Sequence, residues 1–274
     1  MWFYLLNATP RNLFQKNNKQ LSSIQQRIVK DLERDGIAVT SLEELFPGEN
    51  VLDSLTSYVD SHATQTQAYT KKKFLNDFWE LVPELDFTNP FVRLSLRPEV
   101  LTIASAYMRM WVRLNYYHLA TIQPKEGEAV QSQRWHRDNE DPKMCKMFVY
   151  INDVDETAGP FTYVRGSAVT NPNPYARLFP QKRPEGSYPS AQAVTSNVDS
   201  KDIATMTGVA GTVIFCDTTG LHRGGHATKR PRTMFTAFFT SKAWSDPKRY
   251  SYPNDIALSS EHLAPETRYA LFLD

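Results

Sequence analysis

The hydrophobic pattern of this chain changes near residue 111, and the change restricts the folds that it can adopt. Before this point apolar residues recur at helical spacing. After it they fall in short runs rich in aromatic and β-branched residues, which is typical of strands. The runs that we expect to be strands are residues 111–121, 146–151, 161–164, 211–216 and 233–239. A helical first third followed by a mainly antiparallel β portion is therefore the expected architecture.

The helical part contains one clearly delimited helix. Ser22 or Ser23 is a suitable N-cap, apolar residues then lie on one helical face, and Gly36 is a suitable end. A short strand is expected directly after this helix, at residues 37–40. Further helical segments are expected over residues 51–63 and from Pro98 onward.

Two connections between the predicted strands differ in character. Residues 152–159 resemble a turn that contains Asp155 and Gly159, so the strands on either side are expected to form a hairpin. Residues 168–204 are rich in Pro, Ser and Asn and show little periodicity, which predicts a long inserted loop, either a lid over a functional site or a disordered segment. The lysines at 71–73 and the charges of this loop are expected to be solvated, although an anionic substrate is the alternative for Arg177, Lys182 and Arg183.

Composition argues against several classes of protein. The 31 basic and 30 acidic side chains give a net charge of +1, so no nucleic-acid partner is expected. No apolar stretch approaches the roughly 18 residues of a transmembrane helix, so no membrane partner is expected either. Cys145 and Cys216 are too few for a disulfide framework and are expected to be buried free thiols in the cytoplasm. The aromatic share of 12% suits a packed core with an apolar pocket for a small molecule.

Three residues that can bind a metal ion occur in a recognisable pattern. His136 and Asp138 are two residues apart at the end of a strand, so their side chains can point in the same direction. His222 follows the predicted strand 211–216 and supplies a second imidazole. Two imidazoles and one carboxylate form the triad of non-haem Fe(II) oxygenases, which leaves coordination positions open. Arg232, ten residues after His222, is suited to binding a carboxylate through its planar guanidinium.

Other residues compete for these roles or extend the site. His226, expected on an exposed loop, is the alternative to His222, and Arg230 is the alternative to Arg232. Arg230 precedes a proline and is expected to lie outside the strand. The carboxylate of Asp141 is also close to the motif. Further candidates for contacts with the pocket or the cosubstrate are Gln133, Trp135, Lys146 and His118.

Several motifs resemble the phytanoyl-CoA dioxygenase (PhyH-like) superfamily and occur in that family's order. They are the runs 133–138, 146–156, 159–167, 211–215 and 222–225, followed by Arg232. The resemblance implies a mainly β fold with flanking helices, built on a double-stranded β-helix (jelly-roll, cupin-like) core. It further implies a single domain over residues 1–274, divided into a mostly helical flank (1–110), the jelly-roll core with the long loop (111–243) and a C-terminal extension (244–274).

The resemblance also implies an activity and the residues that perform it. His136, Asp138 and His222 would bind Fe(II), and Arg232 would bind the distal carboxylate of the cosubstrate 2-oxoglutarate, with O₂ as the oxidant. The implied reaction is hydroxylation of an unactivated C–H bond of a small-molecule metabolite, with oxidative decarboxylation of 2-oxoglutarate to succinate and CO₂. Desaturation, cyclisation, epoxidation or rearrangement with the same cofactors is the first alternative. A non-catalytic, cupin-like metal-binding protein is the second.

Overall fold

A computed structural model describes residues 1–17, 19–66, 74–180 and 188–274 of the chain. The lysines at 71–73, together with Lys182 and Arg183, lie outside the described residues. The α-helices are α1 (Ala8–Lys16), α2 (Ser23–Asp35), α3 (Leu42–Leu45), α4 (Val51–His62), α5 (Pro90–Ser95), α6 (Pro98–Met108), α7 (Ala191–Asn197), α8 (Ile256–Ser259) and α9 (Pro265–Ala270). The strands are β1 (Ile37–Ser41), β2 (Leu75–Asp77), β3 (Arg113–Ile122), β4 (Cys145–Tyr150), β5 (Phe161–Val164), β6 (Ile203–Met206), β7 (Thr212–Cys216), β8 (His222–Arg223) and β9 (Arg232–Thr240).

The strands form two antiparallel sheets. The larger sheet has the order β1-β7-β4-β9-β3-β2, and the smaller has the order β6-β5-β8. The chain passes repeatedly between them, since β4, β7 and β9 lie in the larger sheet while β5, β6 and β8 lie in the smaller one. Residues of both sheets share one buried apolar cluster, in which the ring centroids of Phe148 and Phe161 are 4.9 Å apart. The predicted double-stranded β-helix with flanking helices is confirmed.

The predicted hairpin between residues 146–151 and 161–164 is wrong. Strand β4 pairs with β7 and β9, whereas β5 pairs with β6 and β8. The connection contains a 3₁₀ turn, Glu156–Ala158, capped by the Asp155 side chain, and Gly159 follows in the left-handed conformation at φ 67°. This connection carries the chain from one sheet to the other. Both strands are buried on both faces, so the hydrophobic pattern contains no information about which strand each one pairs with.

Helix α2 illustrates how helices attach to the larger sheet. Ser22 and Gln25 form a capping box, in which each side chain accepts a hydrogen bond from the backbone N–H of the other residue. Gly36 ends the helix at φ 76°, a left-handed conformation that is easily accessible to glycine. Ile28 and Leu32 are buried in the main apolar cluster. The helix predicted to start at Ser22 or Ser23 and to end at Gly36 is thus confirmed, with Ser22 as the N-cap.

Alternation along β9 shows how the larger sheet separates the core from a cavity. Phe235 and Ala237 belong to the main apolar cluster, which also contains residues of α2, α5 and α6. Arg232, Met234 and Thr236, at the intervening positions, line a cavity on the other face. Side chains along a strand point alternately to opposite faces, so one face of the sheet is covered by helices and the other surrounds the cavity.

The segment 168–204 is more regular than the sequence predicts. It contains helix α7, and the strand β6 begins inside the predicted loop, at Ile203. Val194 and Val198 are buried in a small apolar cluster with Leu221, so this part of the segment is packed against the barrel. The helix is only 7 residues long, too short for helical periodicity to be recognised in a sequence dominated by polar residues.

The C-terminal residues pack against the helical flank. Tyr250 and Tyr269 are buried, and α9 contacts α6. The division of residues 1–274 into one domain with the predicted internal boundaries stays a prediction. Among the described residues, no helix combines the length and the apolar character that crossing a membrane requires.

Candidate metal centre

Backbone pairing brings the three predicted metal ligands together. His136 and His222 form an antiparallel bridge, with N–H···O distances of 2.8 and 2.9 Å. Asp138 is held by a hydrogen bond of 2.8 Å from its amide to the carbonyl of Thr218. One ligand atom of each of the three side chains lies within 4.8 Å of the others, and no other group of this kind was found among the described residues. The Nε2 atoms of both histidines are 3.7 Å from the Asp138 carboxylate.

Hydrogen bonds determine which imidazole nitrogen faces the centre. The Nδ1 atom of His136 is 2.8 Å from the carbonyl oxygen of Arg134, and the Nδ1 atom of His222 is 2.9 Å from that of Gly220. A carbonyl oxygen only accepts hydrogen bonds, so each Nδ1 carries the proton and donates. The two Nε2 atoms therefore present lone pairs towards Asp138, which is the arrangement that metal-ligating histidines adopt.

The charges around the centre favour the protonation states that bind a cation. Burial raises the pKa of Asp138, but the positive charge of Lys146, followed by His222 and His136, outweighs burial and lowers the pKa far below its usual range. Burial, reinforced by the neighbouring His136, lowers the pKa of His222 to about 3 in spite of Asp138. At neutral pH the centre thus offers a carboxylate and a neutral imidazole.

Lys146 is a partner of the triad. Its Nζ atom donates to Asp138 Oδ2 at 2.6 Å, and its side chain is only 8% exposed. The ammonium also lies over the ring of Phe238, 4.7 Å from the ring centroid. Burial lowers the pKa of Lys146, but Asp138, together with Tyr116 and Glu140, outweighs burial and raises it. Lys146 therefore stays charged and holds the carboxylate in place.

The triad lines one side of a cavity of about 550 Å³. Gln133, His118 and Lys146, three of the predicted contact residues, also line it. The prediction is wrong for Trp135, which is buried away from the cavity among Val194, Val198 and Leu221. Consecutive residues of an extended segment point in opposite directions, so the side chain next to His136 cannot share its face.

Arg232 lies on the wall of the same cavity and is buried to 1% exposure. One terminal nitrogen donates to the carbonyl of Gly159, while Nε is buried without a partner. No acidic side chain pairs with Arg232 among the described residues. Burial lowers its pKa. A buried guanidinium with unused donors fits the carboxylate of a ligand such as 2-oxoglutarate.

The residues that the sequence offers as alternatives to the ligands and to Arg232 lie outside the metal centre. Arg230 is exposed and pairs with Asp155 at 3.1 Å. His226 is half-buried rather than exposed, and neither of its ring nitrogens has a partner among the described residues. It lines a second pocket, of about 460 Å³, which shares Gln133 with the cavity of the triad. The Asp141 carboxylate accepts hydrogen bonds from Trp2 and Ser241, each at 2.7 Å, and is not part of the ligand cluster.

Arg137, between two of the predicted ligands, has a role that sequence reasoning missed. Its buried guanidinium donates only to backbone carbonyls, at 2.7 Å to Thr219, 2.9 Å to Tyr175 and 2.9 Å to Leu178. It also donates to the carbonyl of Ser167. The bonds to Tyr175 and Leu178 join the ligand-bearing segment to the 168–204 segment. The sequence did not predict this buried role of Arg137, since a lone Arg next to a motif is usually exposed.

Replacing Arg137 with Met is expected to lower the free energy of unfolding by about 3 kcal/mol or more, because several buried carbonyls lose their donors at about 1 kcal/mol each. Urea unfolding measures the change. Arg134→Met is the matched control, since Arg134 is exposed and makes one hydrogen bond of 3.4 Å to Tyr188. Equal stability of the two variants would contradict the role assigned to Arg137.

Other cavity residues were also missed by sequence reasoning. Trp79 and Arg249 line the cavity, and the Tyr188 ring centroid is 6.1 Å from that of His136. Asp77, in the short strand β2, contacts His118. Each of these residues is distant in sequence from the motif. The one available signal is the polar pair Asn76 and Asp77 between Leu75 and Phe78, which is too weak to predict a contact.

A double-stranded β-helix with this triad and a buried arginine on one cavity defines a class, the non-haem iron- and 2-oxoglutarate-dependent dioxygenases. Residues 52–234, about two thirds of the chain, match the family model "Phytanoyl-CoA dioxygenase (PhyH)". The chain belongs to the phytanoyl-CoA dioxygenase family. The family match confirms the predicted enzyme class, with iron and 2-oxoglutarate as its cofactors. No curated protein matches the sequence significantly.

Solved structures show the same fold at low sequence identity. The epimerase SnoN in complex with Fe³⁺, alpha ketoglutarate and nogalamycin RO is 16% identical with a TM-score of 0.56, and the match covers 80% of this chain and 84% of SnoN. The carbocyclase SnoK from nogalamycin biosynthesis is 15% identical with a TM-score of 0.54, covering 90% and 92%. EctD from S. alaskensis is 17% identical with a TM-score of 0.52, covering 85% and 88%. These similarities concern the fold.

Proposed function

We propose that this protein hydroxylates a C–H bond of a small-molecule metabolite, with oxidative decarboxylation of 2-oxoglutarate to succinate and CO₂. His136, Asp138 and His222 would hold the iron, and Arg232 would bind the distal carboxylate of 2-oxoglutarate. The observation that carries the proposal is the position of Arg232. It is buried, lacks an acidic partner among the described residues, and lines the same cavity as the triad.

Each residue of the centre has a separate task. The carbonyls of Arg134 and Gly220 orient the two imidazoles, and Lys146 holds Asp138 as a carboxylate. Arg232 would fix one end of the cosubstrate by a charge-assisted hydrogen bond. Bound iron and 2-oxoglutarate supply the oxidising chemistry, and the protein supplies orientation and a dry environment.

The cavity supports a small-molecule substrate. Its volume of about 550 Å³ is in the range of small-molecule sites and leaves space beyond 2-oxoglutarate. Its walls include the aromatic residues Trp79, Tyr116, Phe148 and Phe161, which suits a largely apolar substrate. A cytoplasmic location is part of the proposal and is supported by the two buried, free cysteines.

A second outcome with the same cofactors is ring closure or epimerisation. It is favoured by the structural similarity to a carbocyclase and an epimerase, SnoK and SnoN. The outcome depends on how the substrate is held next to the iron. Analysis of the product by mass distinguishes the outcomes, because hydroxylation adds one oxygen atom whereas epimerisation leaves the mass unchanged.

The proposal is tested by adding Fe(II) and then 2-oxoglutarate to the protein without oxygen. We expect one iron per chain and a weak visible charge-transfer band that appears only when 2-oxoglutarate is added. Succinate replaces 2-oxoglutarate in the control and should give no band, because it lacks the keto group that chelates iron. Iron binding without the band would overturn the assignment of the cosubstrate. The band without succinate formation in air, across candidate substrates, would instead favour a metal-binding protein.

A further inference from the structure

A polar pair lies in the cavity wall away from the metal centre. The Nε2 atom of His118 is 2.5 Å from Oδ1 of Asp77. Asp77 is completely buried, whereas the His118 side chain is 29% exposed and lines the cavity. The pair joins strand β3 to strand β2. A buried carboxylate that accepts from one imidazole nitrogen fixes the ring and leaves the second nitrogen, Nδ1, as an acceptor.

The pair is separate from the cosubstrate end of the cavity. In the pairing of β3 with β9, His118 lies opposite Thr236, whereas Arg232 lies opposite Ile122. Four residues separate the two positions along each strand, which corresponds to about 13 Å. Lys146, which holds Asp138 of the triad, lies opposite Phe238, two positions beyond Thr236, so the pair is nearer the level of the triad than that of Arg232. A second ligand bound beside the triad can therefore contact His118.

The surroundings of the pair define what kind of group it can bind. At the level of His118 the neighbouring strands contribute Thr236 and Phe148, and Tyr116 and Trp79 line the cavity nearby. His118 thus presents an unused acceptor within a mainly aromatic wall, since Nδ1 makes no hydrogen bond to the described residues. Such a wall favours an apolar ring system, and one acceptor favours a hydroxyl group on it.

The geometry points to a substrate subsite in which the Asp77–His118 pair accepts a hydrogen bond from a hydroxyl group of an otherwise apolar, ring-containing substrate. This inference rests on the proposed function, because it assigns Arg232 and the triad to the cosubstrate and the iron. His118 is a specificity-determining residue in this assignment. Asp77 is a positioning residue that acts through His118 by fixing the tautomer of its ring.

Two probes that differ by the hydroxyl hydrogen test the subsite. They are 2-naphthol and 2-methoxynaphthalene, titrated by calorimetry into the protein with Fe(II) and 2-oxoglutarate in the absence of oxygen. We expect the wild-type protein to bind 2-naphthol at least about fivefold more tightly, since one hydrogen bond distinguishes the probes. In His118→Phe the difference should disappear. In Asp77→Asn it should fall below about twofold, because the tautomer is no longer fixed.

The control is His262→Gln, a histidine that is exposed and outside the cavity, and it should keep the wild-type preference. Absence of a preference in the wild-type protein, or its persistence in His118→Phe, would overturn the subsite. Asp77→Asn decides the question if His118→Phe does not fold. Loss of the charge-transfer band in folded His118→Phe would also overturn the inference, by placing His118 in the cosubstrate site. Absence of the band in the wild-type protein would instead contradict the proposed function.

Discussion

Replacing His222 with alanine is expected to abolish the charge-transfer band and to reduce iron affinity by more than about 100-fold. Loss of a hydrogen-bonding partner of a ligand already lowers affinity 10- to 100-fold, and here the ligand itself is removed. His222 is 4% exposed, and its Nε2 atom lies 3.7 Å from the Asp138 carboxylate. Anaerobic iron titration followed by visible absorbance measures both effects.

His226→Ala provides the matched control for His222→Ala. His226 is four residues away along the chain, and it was the alternative ligand from sequence reasoning. It lies outside the cluster of ligand atoms, so the variant should keep the band and the iron stoichiometry of the wild-type protein. A band that survives in His222→Ala but disappears in His226→Ala would reverse the assignment.

Replacing Arg232 with methionine is expected to weaken the binding of 2-oxoglutarate by about 30-fold or more. Truncating one partner of a buried, hydrogen-bonded charge pair costs about 2–5 kcal/mol. Iron binding without 2-oxoglutarate should be unchanged, since Arg232 is not among the clustered ligand residues. The measurement is the 2-oxoglutarate concentration at half-maximal band intensity.

Arg230→Met is the control for Arg232→Met. Arg230 is exposed and paired with Asp155, so the concentration of 2-oxoglutarate at half-maximal band intensity should stay within about twofold of the wild-type value. Arg232→Lys should be intermediate, since an ammonium keeps the charge but not the planar fork of donors. If Arg232→Met reaches half-maximal band intensity at the same concentration of 2-oxoglutarate as the wild-type protein, the cosubstrate is held elsewhere.

Local sequence predicted the elements well where the signal is contained in a few consecutive residues. The helix between Ser22 and Gly36 is the clearest example, because its capping box and its left-handed end use neighbouring residues. The hairpin prediction at residues 152–159 failed for the opposite reason. Turn residues show that the chain changes direction, but only the packing of two sheets decides which strand becomes the partner.

For the candidate site, too, the structure agrees with the sequence prediction in part and disagrees with it in part. His136, Asp138, His222 and Arg232 were predicted from spacing and resemblance, and the structure places all four on one cavity. Trp135 was misplaced, because it is adjacent to His136 in sequence but its side chain lies on the other side of the segment, in a separate apolar cluster.

The sequence by itself determined the chemical groups available and the order of the elements that carry them, because ligand type, capping and strand alternation are properties of nearby residues. Only the tertiary structure decided which distant groups meet. Lys146 pairs with Asp138, Arg137 holds the carbonyls of the 168–204 segment, and His118 meets Asp77 across two strands. These contacts form between separate elements, and their energies depend on burial and on the closure of the barrel, which no local pattern encodes.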